Sequence, residues 1–302
     1  MDRPLAGRVA LVTGASKNIG KGIALEVAAA GATTYLTART LDDVPGQLAS
    51  LQRTADEIAA AGGVAIPVAC DHTDDAQAQA VFDRIAAEQG GRLDLLVNVA
   101  SPEFSDMVGR DFWELPFDSI SRCLDIGPRS GFVTSALAAR LMVPRRSGVI
   151  INISSHGAIQ HLLSVPYGIG KAAIDKLTRD TAQELRAHDV AAVSLWPGLV
   201  LTEGLLAHST VAPDGHRELA GLDISFGESP GFNGKAVVAL AADPSILERT
   251  GGSFWTAELA RDYGFAEDDG HLPPVTHGLA RMMPLDEIPP YWRGVERFAP
   301  AG

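Results

Sequence analysis

Apolar residues in this chain gather in short runs, separated by longer stretches in which they recur about every three to four positions. The runs at 8–12, 64–69, 93–100, 149–153 and 190–195 are rich in Val, Ile, Leu and Ala, while 33–37 (Thr-Thr-Tyr-Leu-Thr) and 252–255 (Gly-Ser-Phe-Trp) draw on β-branched or aromatic residues. Runs of that kind predict strands covered on both faces. Helical spacing follows each of the early runs. Ile23, Leu25, Val27 and Ala30 mark the first helix, which Gly31 stops. Further helices are predicted over 51–61, 76–88, 118–143, 172–187 and 234–243, with Gly127-Pro128 kinking the fourth. Strands and helices alternate throughout. The expected fold class is therefore α/β: a Rossmann-type, doubly wound parallel sheet of about seven strands with helices on both faces. We read residues 1–302 as one domain, with a glycine- and histidine-bearing stretch at 199–231 and an extended, proline-marked tail at 265–302.

Composition narrows the function. With 46% hydrophobic residues the 302-residue chain has ample core, and its net charge of -12 excludes nucleic acid or an anionic membrane as a general partner. No apolar run approaches the roughly 18 residues of a membrane span. The start of the chain lacks the apolar stretch of a signal peptide, so a cytoplasmic location is expected. Cys70 and Cys123 are too few for a disulfide framework and read as buried free thiols. The eight histidines are scattered, and no metal-ligand cluster stands out.

Chemistry enters at three places. After the first strand, Thr13-Gly14-Ala15-Ser16-Lys17-Asn18-Ile19-Gly20 opens a helix, which is the context a dinucleotide-binding turn requires. Gly14 permits the tight turn, and Gly20 lets the helix pack on the strand. Asn18 stands where a middle glycine is expected and tolerates left-handed backbone better than most residues. The second strand ends in Ala38-Arg39-Thr40 rather than in the acidic residue that grips a ribose hydroxyl. Arg39 and Lys17 together suit a 2′-phosphate, so NADP(H) is favoured over NAD(H), although Asp42 and Asp43 lie close by. Asp71 either accepts from an adenine amine or belongs to the turn in which Asp74 or Thr73 caps the next helix. Finally, Tyr167 and Lys171 are four apart and share one helix face. Free tyrosine has a pKa of about 10, and a neighbouring ammonium lowers it. Upstream, Ser154-Ser155 ends a buried strand, where a hydroxyl can hold a substrate oxygen. Phe104, Phe112, Trp113 and Phe117 either wall a pocket or pack a surface loop.

In their order and spacing, the glycine turn, Asp71, Asn98, Ser155, Tyr167-x-x-x-Lys171 and Pro197-Gly198 with Thr202 resemble the short-chain dehydrogenase/reductase family, over about residues 5–260. The resemblance implies that Tyr167 is the general acid or base, that Lys171 tunes it and holds the nicotinamide ribose, and that Ser155 orients the carbonyl, with Ser154 as neighbouring candidate. It places the cofactor against Gly14, Ser16, Lys17, Asn18, Ile19, Gly20, Arg39, Asp71, His72, Asn98, Val99, Ala100, Tyr167, Lys171, Pro197, Gly198, Val200 and Thr202. Two departures stand out. Asn98-Val99-Ala100-Ser101 replaces Asn-Asn-Ala-Gly, and Asp125 occupies the position of the helix asparagine that completes the catalytic four. Its negative charge is expected to raise the pKa values of Lys171 and Tyr167. The implied activity is hydride transfer between NADP(H) and a ketone or alcohol, apolar or bulky as a steroid, lipid-like or xenobiotic ketone is. The resemblance also makes 199–231 the substrate lid, and the implied assembly is a homotetramer or homodimer. The alternative is an NAD(P)-sensing binding protein without turnover.

Overall fold

The computed structural model describes residues 3–44, 49–219 and 221–275. Its first half runs β1 (Val9–Thr13), α1 (Asn18–Ala29), β2 (Thr33–Ala38), α2 (Leu51–Ala60), β3 (Val64–Ala69), α3 (Asp75–Glu88) and β4 (Leu95–Asn98). Helices α2 and α3 start where a polar side chain takes up free amides, whereas α1 starts without a side-chain cap. Ser50 accepts from the Arg53 amide at the start of α2, and Asp74 accepts from Ala76 and Gln77 at the start of α3. The turn reading of 70–74 therefore holds: Asp74 is the cap. The fourth strand is shorter than its apolar run. The amides of Val99 and Ala100 leave the sheet to donate to the Thr13 hydroxyl, at 2.9 and 3.1 Å.

The predicted long helix over 118–143 is instead three pieces: α4 (Asp118–Leu124), a π-helical turn (Asp125–Arg129) and α5 (Ser130–Met142). Pro128 has no amide to donate and its ring crowds the preceding turn. The chain accommodates it by widening rather than by kinking, and the Ser130 amide reaches back to the Asp125 carbonyl. Next come β5 (Gly148–Ile153), α6 (Val165–Leu185) and β6 (Val190–Trp196). The expected lid holds more structure than its composition suggested. It contains α7 (Glu203–Ala207) and a small antiparallel sheet of β7 (Thr210–Val211), β8 (Arg217–Leu219) and β9 (Leu222–Asp223). The described chain closes with α8 (Pro230–Ala242), α9 (Ile246–Arg249), β10 (Ser253–Trp255) and α10 (Thr256–Tyr263).

The main sheet has the order β10-β6-β5-β4-β1-β2-β3, and every pair in it is parallel. Alternation along the strands divides the core. Ala10, Val12, Leu95 and Val97 pack with Ile23, Val27 and Leu240 on the α1–α8 face, whereas Val9, Leu11 and Leu96 pack with Phe82, Ile85 and Leu185 on the other. Strand order reverses at β1, which has β2 on one side and β4 on the other. The crevice outside the carboxyl ends of these strands is where ligands of such sheets bind. Of the expected tail, residues 276–302 lie outside the described residues, and the part before them is not extended away from the body. Glu267 accepts from the Ser229 amide and hydroxyl at the start of α8, both at 2.6 Å, and Lys235 of α8 donates to the Ala266 carbonyl at 2.7 Å. Among the described residues no helix is long and apolar enough to cross a membrane.

Helices α1 and α8 cross with their backbones nearly touching. A Cβ on Gly22 would fall 2.3 Å from the Pro230 carbonyl carbon and oxygen, and one on Gly234 would fall 2.6 Å from Glu26 Cβ. Gly22→Ala forces these backbones apart. It is expected to destabilise by about 1–3 kcal/mol, despite the gain of about 1 kcal/mol that alanine brings to an isolated helix. A lowered urea midpoint at unchanged m-value checks this.

Candidate active site

The carboxyl ends of β4, β5 and β6 surround the start of α6. Ser164 caps that helix by accepting from the Tyr167 amide, and Pro166 sits in its first turn, where no amide partner is missed. Tyr167 and Lys171 then lie one turn apart over the end of β5. Gly157 leaves space for the phenol: a Cβ there would stand 2.8 Å from Tyr167 Cε1. Ser155 Oγ accepts from the Gly157 amide at 3.0 Å beside the Tyr167 phenol, whose pKa it pulls down, and Phe104 meets the Tyr167 ring edge-on with centroids 5.3 Å apart. The Lys171 ammonium donates to the Ile153 carbonyl at 3.1 Å and stands 5.6 Å from the Tyr167 ring centroid. The two adjacent serines are thereby separated. Ser155 faces the phenol, whereas Ser154 donates to the Lys171 carbonyl at 3.1 Å and serves the helix.

Electrostatics here run partly against the sequence expectation. Burial of the Lys171 ammonium lowers its pKa to about 8, opposed by the charge of Asp175 and by Cys123. Burial also raises the Tyr167 phenol above its ordinary value, with only the Ser155 hydroxyl pulling it down. Within this chain alone, desolvation outweighs the lysine that was expected to acidify the tyrosine.

The glycine turn forms as read. Gly14 and Asn18 both take left-handed backbone, with φ of 68° and 52°. A Cβ on Gly20 would lie 2.2 Å from the Gly14 carbonyl oxygen, so only glycine lets α1 start this close to β1. Ser16, Lys17 and Ile19 complete a concave turn at the amino end of α1, whose free amides and dipole suit a pyrophosphate. Asn18 also accepts from the Glu203 amide at 3.2 Å, tying the turn to α7, which Thr202 caps. Lys17 is exposed, 3.9 Å from Glu103, and Arg39 is exposed just beyond β2. Asp43, which weakened the case for a 2′-phosphate, is engaged elsewhere: it accepts from Ser50 at 2.6 Å and Arg53 at 2.9 Å. Across the crevice, Gly198 presses against Glu228, and Val200 forms a bridge with the same glutamate.

The model of the short chain dehydrogenase family matches residues 8–210. The chain belongs to the short-chain dehydrogenase/reductase family. Among curated relatives, "Dehydrogenase/reductase SDR family member 1" of Mus musculus is 43% identical over 276 residues, covering 89% of this chain and 86% of that protein. The Homo sapiens protein of the same name is 42% identical over 294 residues, covering 95% and 91%. Among solved structures, a short-chain type dehydrogenase/reductase from Mycobacterium marinum has 31% identity and a TM-score of 0.67, over 83% of this chain and 94% of that one. A 7α-hydroxysteroid dehydrogenase complexed with NADH and 7-oxo glycochenodeoxycholic acid has 27% identity and a TM-score of 0.68, over 83% and 93%.

Several predicted site residues of this short-chain dehydrogenase sit differently from the reading. Asp125 is exposed at the start of the π-turn, where its charge acts on Arg129; the groups that shift Lys171 are Asp175 and Cys123 instead. The half-buried Asn98 side chain turns inward, donating to Asn152 at 2.8 Å and accepting from Thr134 at 2.7 Å, since an amide shielded from water must find protein partners. Asp71 is occupied by the Thr73 amide and hydroxyl, at 3.0 and 2.7 Å. The His72 ring is buried against Thr37, at 2.8 Å, and burial lowers its pKa to about 4. Their backbones, with those of Val99, Ala100 and Pro197, remain at the crevice. Of the aromatic wall only Phe104 reaches Tyr167; Phe112, Trp113 and Phe117 are 59%, 69% and 98% exposed.

Two carboxylates were not foreseen. Asp175 extends the Tyr167–Lys171 spacing by a further four residues, which was the available signal. Glu228 had none. It is 2% exposed beneath Gly198, and burial raises its pKa to about 8. Ser155→Ala is expected to cut kcat by about 10²–10⁴-fold and Ser154→Ala by less than about tenfold, as measured on the same ketone. Glu228 binds its proton more tightly folded than unfolded, so it costs stability increasingly as pH rises from about 4.5 to 8. Glu228→Gln removes that cost. It is expected to raise stability by roughly 1–3 kcal/mol at pH 8 and to change little below pH 5, which denaturant titration at both pH values reads.

Proposed function

We propose that the chain is an NADP(H)-preferring oxidoreductase acting on the carbonyl or alcohol carbon of an apolar substrate. The observation that carries this is the convergence of Ser155, the Tyr167 phenol and the Lys171 ammonium at the carboxyl edge of the sheet. The cofactor fits the chain. The concave turn at Gly14, Asn18 and Gly20 is a cradle that side chains would fill, and exposed Lys17 and Arg39 suit a 2′-phosphate. When bound, the cofactor supplies or accepts the hydride.

The chain's own residues manage the proton and the orientation. In reduction, Ser155 donates to the carbonyl oxygen and fixes it beside the phenol. Tyr167 Oη then gives its proton to that oxygen as negative charge develops there. Lys171 stabilises the phenolate left behind, which burial alone would disfavour. The same groups run in reverse during oxidation, Tyr167 acting as base. Asp125 contributes its carbonyl to the π-turn rather than its charge to the lysine. Phe104, edge-on to Tyr167, gives the substrate an apolar wall. The similarity to a 7α-hydroxysteroid dehydrogenase, 31% identical over 211 residues in Escherichia coli, agrees with a steroid-like or comparably apolar ketone. We also read the chain as a cytoplasmic homodimer or homotetramer; exposed Phe117 and Phe132, at α4 and α5, are apolar surface that such an assembly would cover.

Titration of the purified protein with NADPH and NADH, followed by nicotinamide fluorescence, is expected to show tighter NADPH binding. Arg39→Ala should cost about tenfold, or about 1.4 kcal/mol, in NADPH affinity and little in NADH affinity. Tighter NADH binding would refute the cofactor assignment, and binding of neither would refute the oxidoreductase.

A further inference from the structure

Tyr167, Lys171 and Asp175 follow one another at four-residue intervals on a single face of α6. The first two reach the crevice; the third lies one turn deeper, against β6. Its carboxylate is surrounded by donors. Ser194 Oγ donates to Oδ1 at 2.6 Å, and Trp196 Nε1 lies 3.1 Å from both oxygens. Ser194 and Trp196 point the same way because they are two apart on one strand. Trp196 is held edge-on by Trp255, with centroids 5.2 Å apart, and Trp255 packs in turn on the buried His156 ring. Burial raises the Asp175 pKa above the ordinary carboxylate value, and these donors together with the Lys171 charge pull against that shift.

We infer that Asp175 is a positioning residue for the proposed oxidoreductase reaction: a carboxylate fixed by Ser194 and Trp196 that keeps the Lys171 ammonium charged from behind. Its oxygens are engaged by those donors, so it acts on Lys171 through charge and leaves the front of the ammonium to the Ile153 carbonyl and the crevice. The groups facing the pair from neighbouring elements are few. Cys123 approaches from α4, and Tyr167 is on the same helix. His156 and Trp255 form the aromatic backing, and His156 is neutral because burial lowers its pKa to about 4. Among the described residues, Asp175 is the only carboxylate that supports the charge of Lys171. Without it, burial opposes the ammonium with only one carbonyl to compensate.

The inference rests on the oxidoreductase reading for its catalytic consequence, but not for its effect on the lysine, so two readouts are used. The first is the pH dependence of Lys171 acetylation by trace acetic anhydride, quantified by mass spectrometry; it requires no cofactor or substrate. In the isosteric Asp175→Asn the half-reaction pH is expected to fall by about one to two units. Ser194→Ala, which keeps the carboxylate but removes its shortest donor, should shift it less and in the same direction. The second is the pH–rate profile for ketone reduction with NADPH. Removing the anion lowers the lysine pKa, so the alkaline limb of Asp175→Asn should move to lower pH. Its kcat at pH 8 should fall about tenfold while the two enzymes converge near pH 6, with KM little changed. Asp175→Glu should restore much of the profile. Unmoved acetylation in whichever of the Asn and Ala variants folds overturns the inference. A uniform loss of kcat at every pH, with acetylation unmoved, assigns Asp175 a packing role only. If acetylation shifts in a protein that never turns over ketones, the link between Asp175 and Lys171 stands and the oxidoreductase reading falls.

Discussion

A lysine ammonium held partly out of water is the constraint from which the rest of this site follows. Desolvation of Lys171 disfavours its charge strongly enough to bring the pKa down to about 8, and the same burial pushes Tyr167 the other way. Both shifts oppose the pair the chemistry needs, a phenolate beside an ammonium. The surroundings answer with fixed groups rather than mobile ones. The Ile153 carbonyl comes from the last residue of β5, Asp175 from the same helix as Lys171, and the Ser155 hydroxyl from the residue that caps the turn after β5. All are anchored to the parallel sheet or to α6, so their positions are set by packing before any ligand arrives.

The second constraint is proximity of backbones. Gly20 lies almost against the Gly14 carbonyl, Gly22 against Pro230 and Gly234 against Glu26. These contacts bring α1 down onto β1 and α8 onto α1. They aim the free amides of α1 at the crevice beside the catalytic helix. The Thr13 hydroxyl then holds the Val99 and Ala100 amides and fixes the β4 end next to the same turn. The glycine turn and the crevice wall are therefore one packed unit, joined to α7 through Asn18.

The fold was legible because it is local. Continuous apolar runs, periodic helices and capping residues each declare an element, and their alternation leaves few topologies. The site was legible where a residue must be of one type: glycine at the turn, and tyrosine and lysine one helical turn apart. It was misread where a side chain's direction depends on distant packing. Asp125 holds the expected sequence position, but the widened turn forced by Pro128 leaves its side chain exposed. Asn98 ends the expected strand, yet Asn152 and Thr134 compete for its amide and win. The exposed aromatics at 112, 113 and 117 have the composition of a pocket wall without its geometry. Glu228 carried no signal at all, since a lone glutamate in a polar stretch reads as surface.

The charges of the site support the proposed apolar substrate better than the aromatic wall does. At neutral pH burial keeps His156 uncharged and Glu228 protonated. Lys171 is then the cation and Asp175 the anion, and they lie one behind the other on α6. From the crevice the pair presents one positive head, fully engaged with the Ile153 carbonyl and the phenol, and no free counter-charge. An anionic substrate group would find no second cation beside the reacting carbonyl, and a cationic one would meet the lysine. What the site does offer a ligand is the Ser155 and Tyr167 hydroxyls and the edge of Phe104. A polar carbonyl on an otherwise apolar body satisfies these groups and leaves no buried charge unmatched.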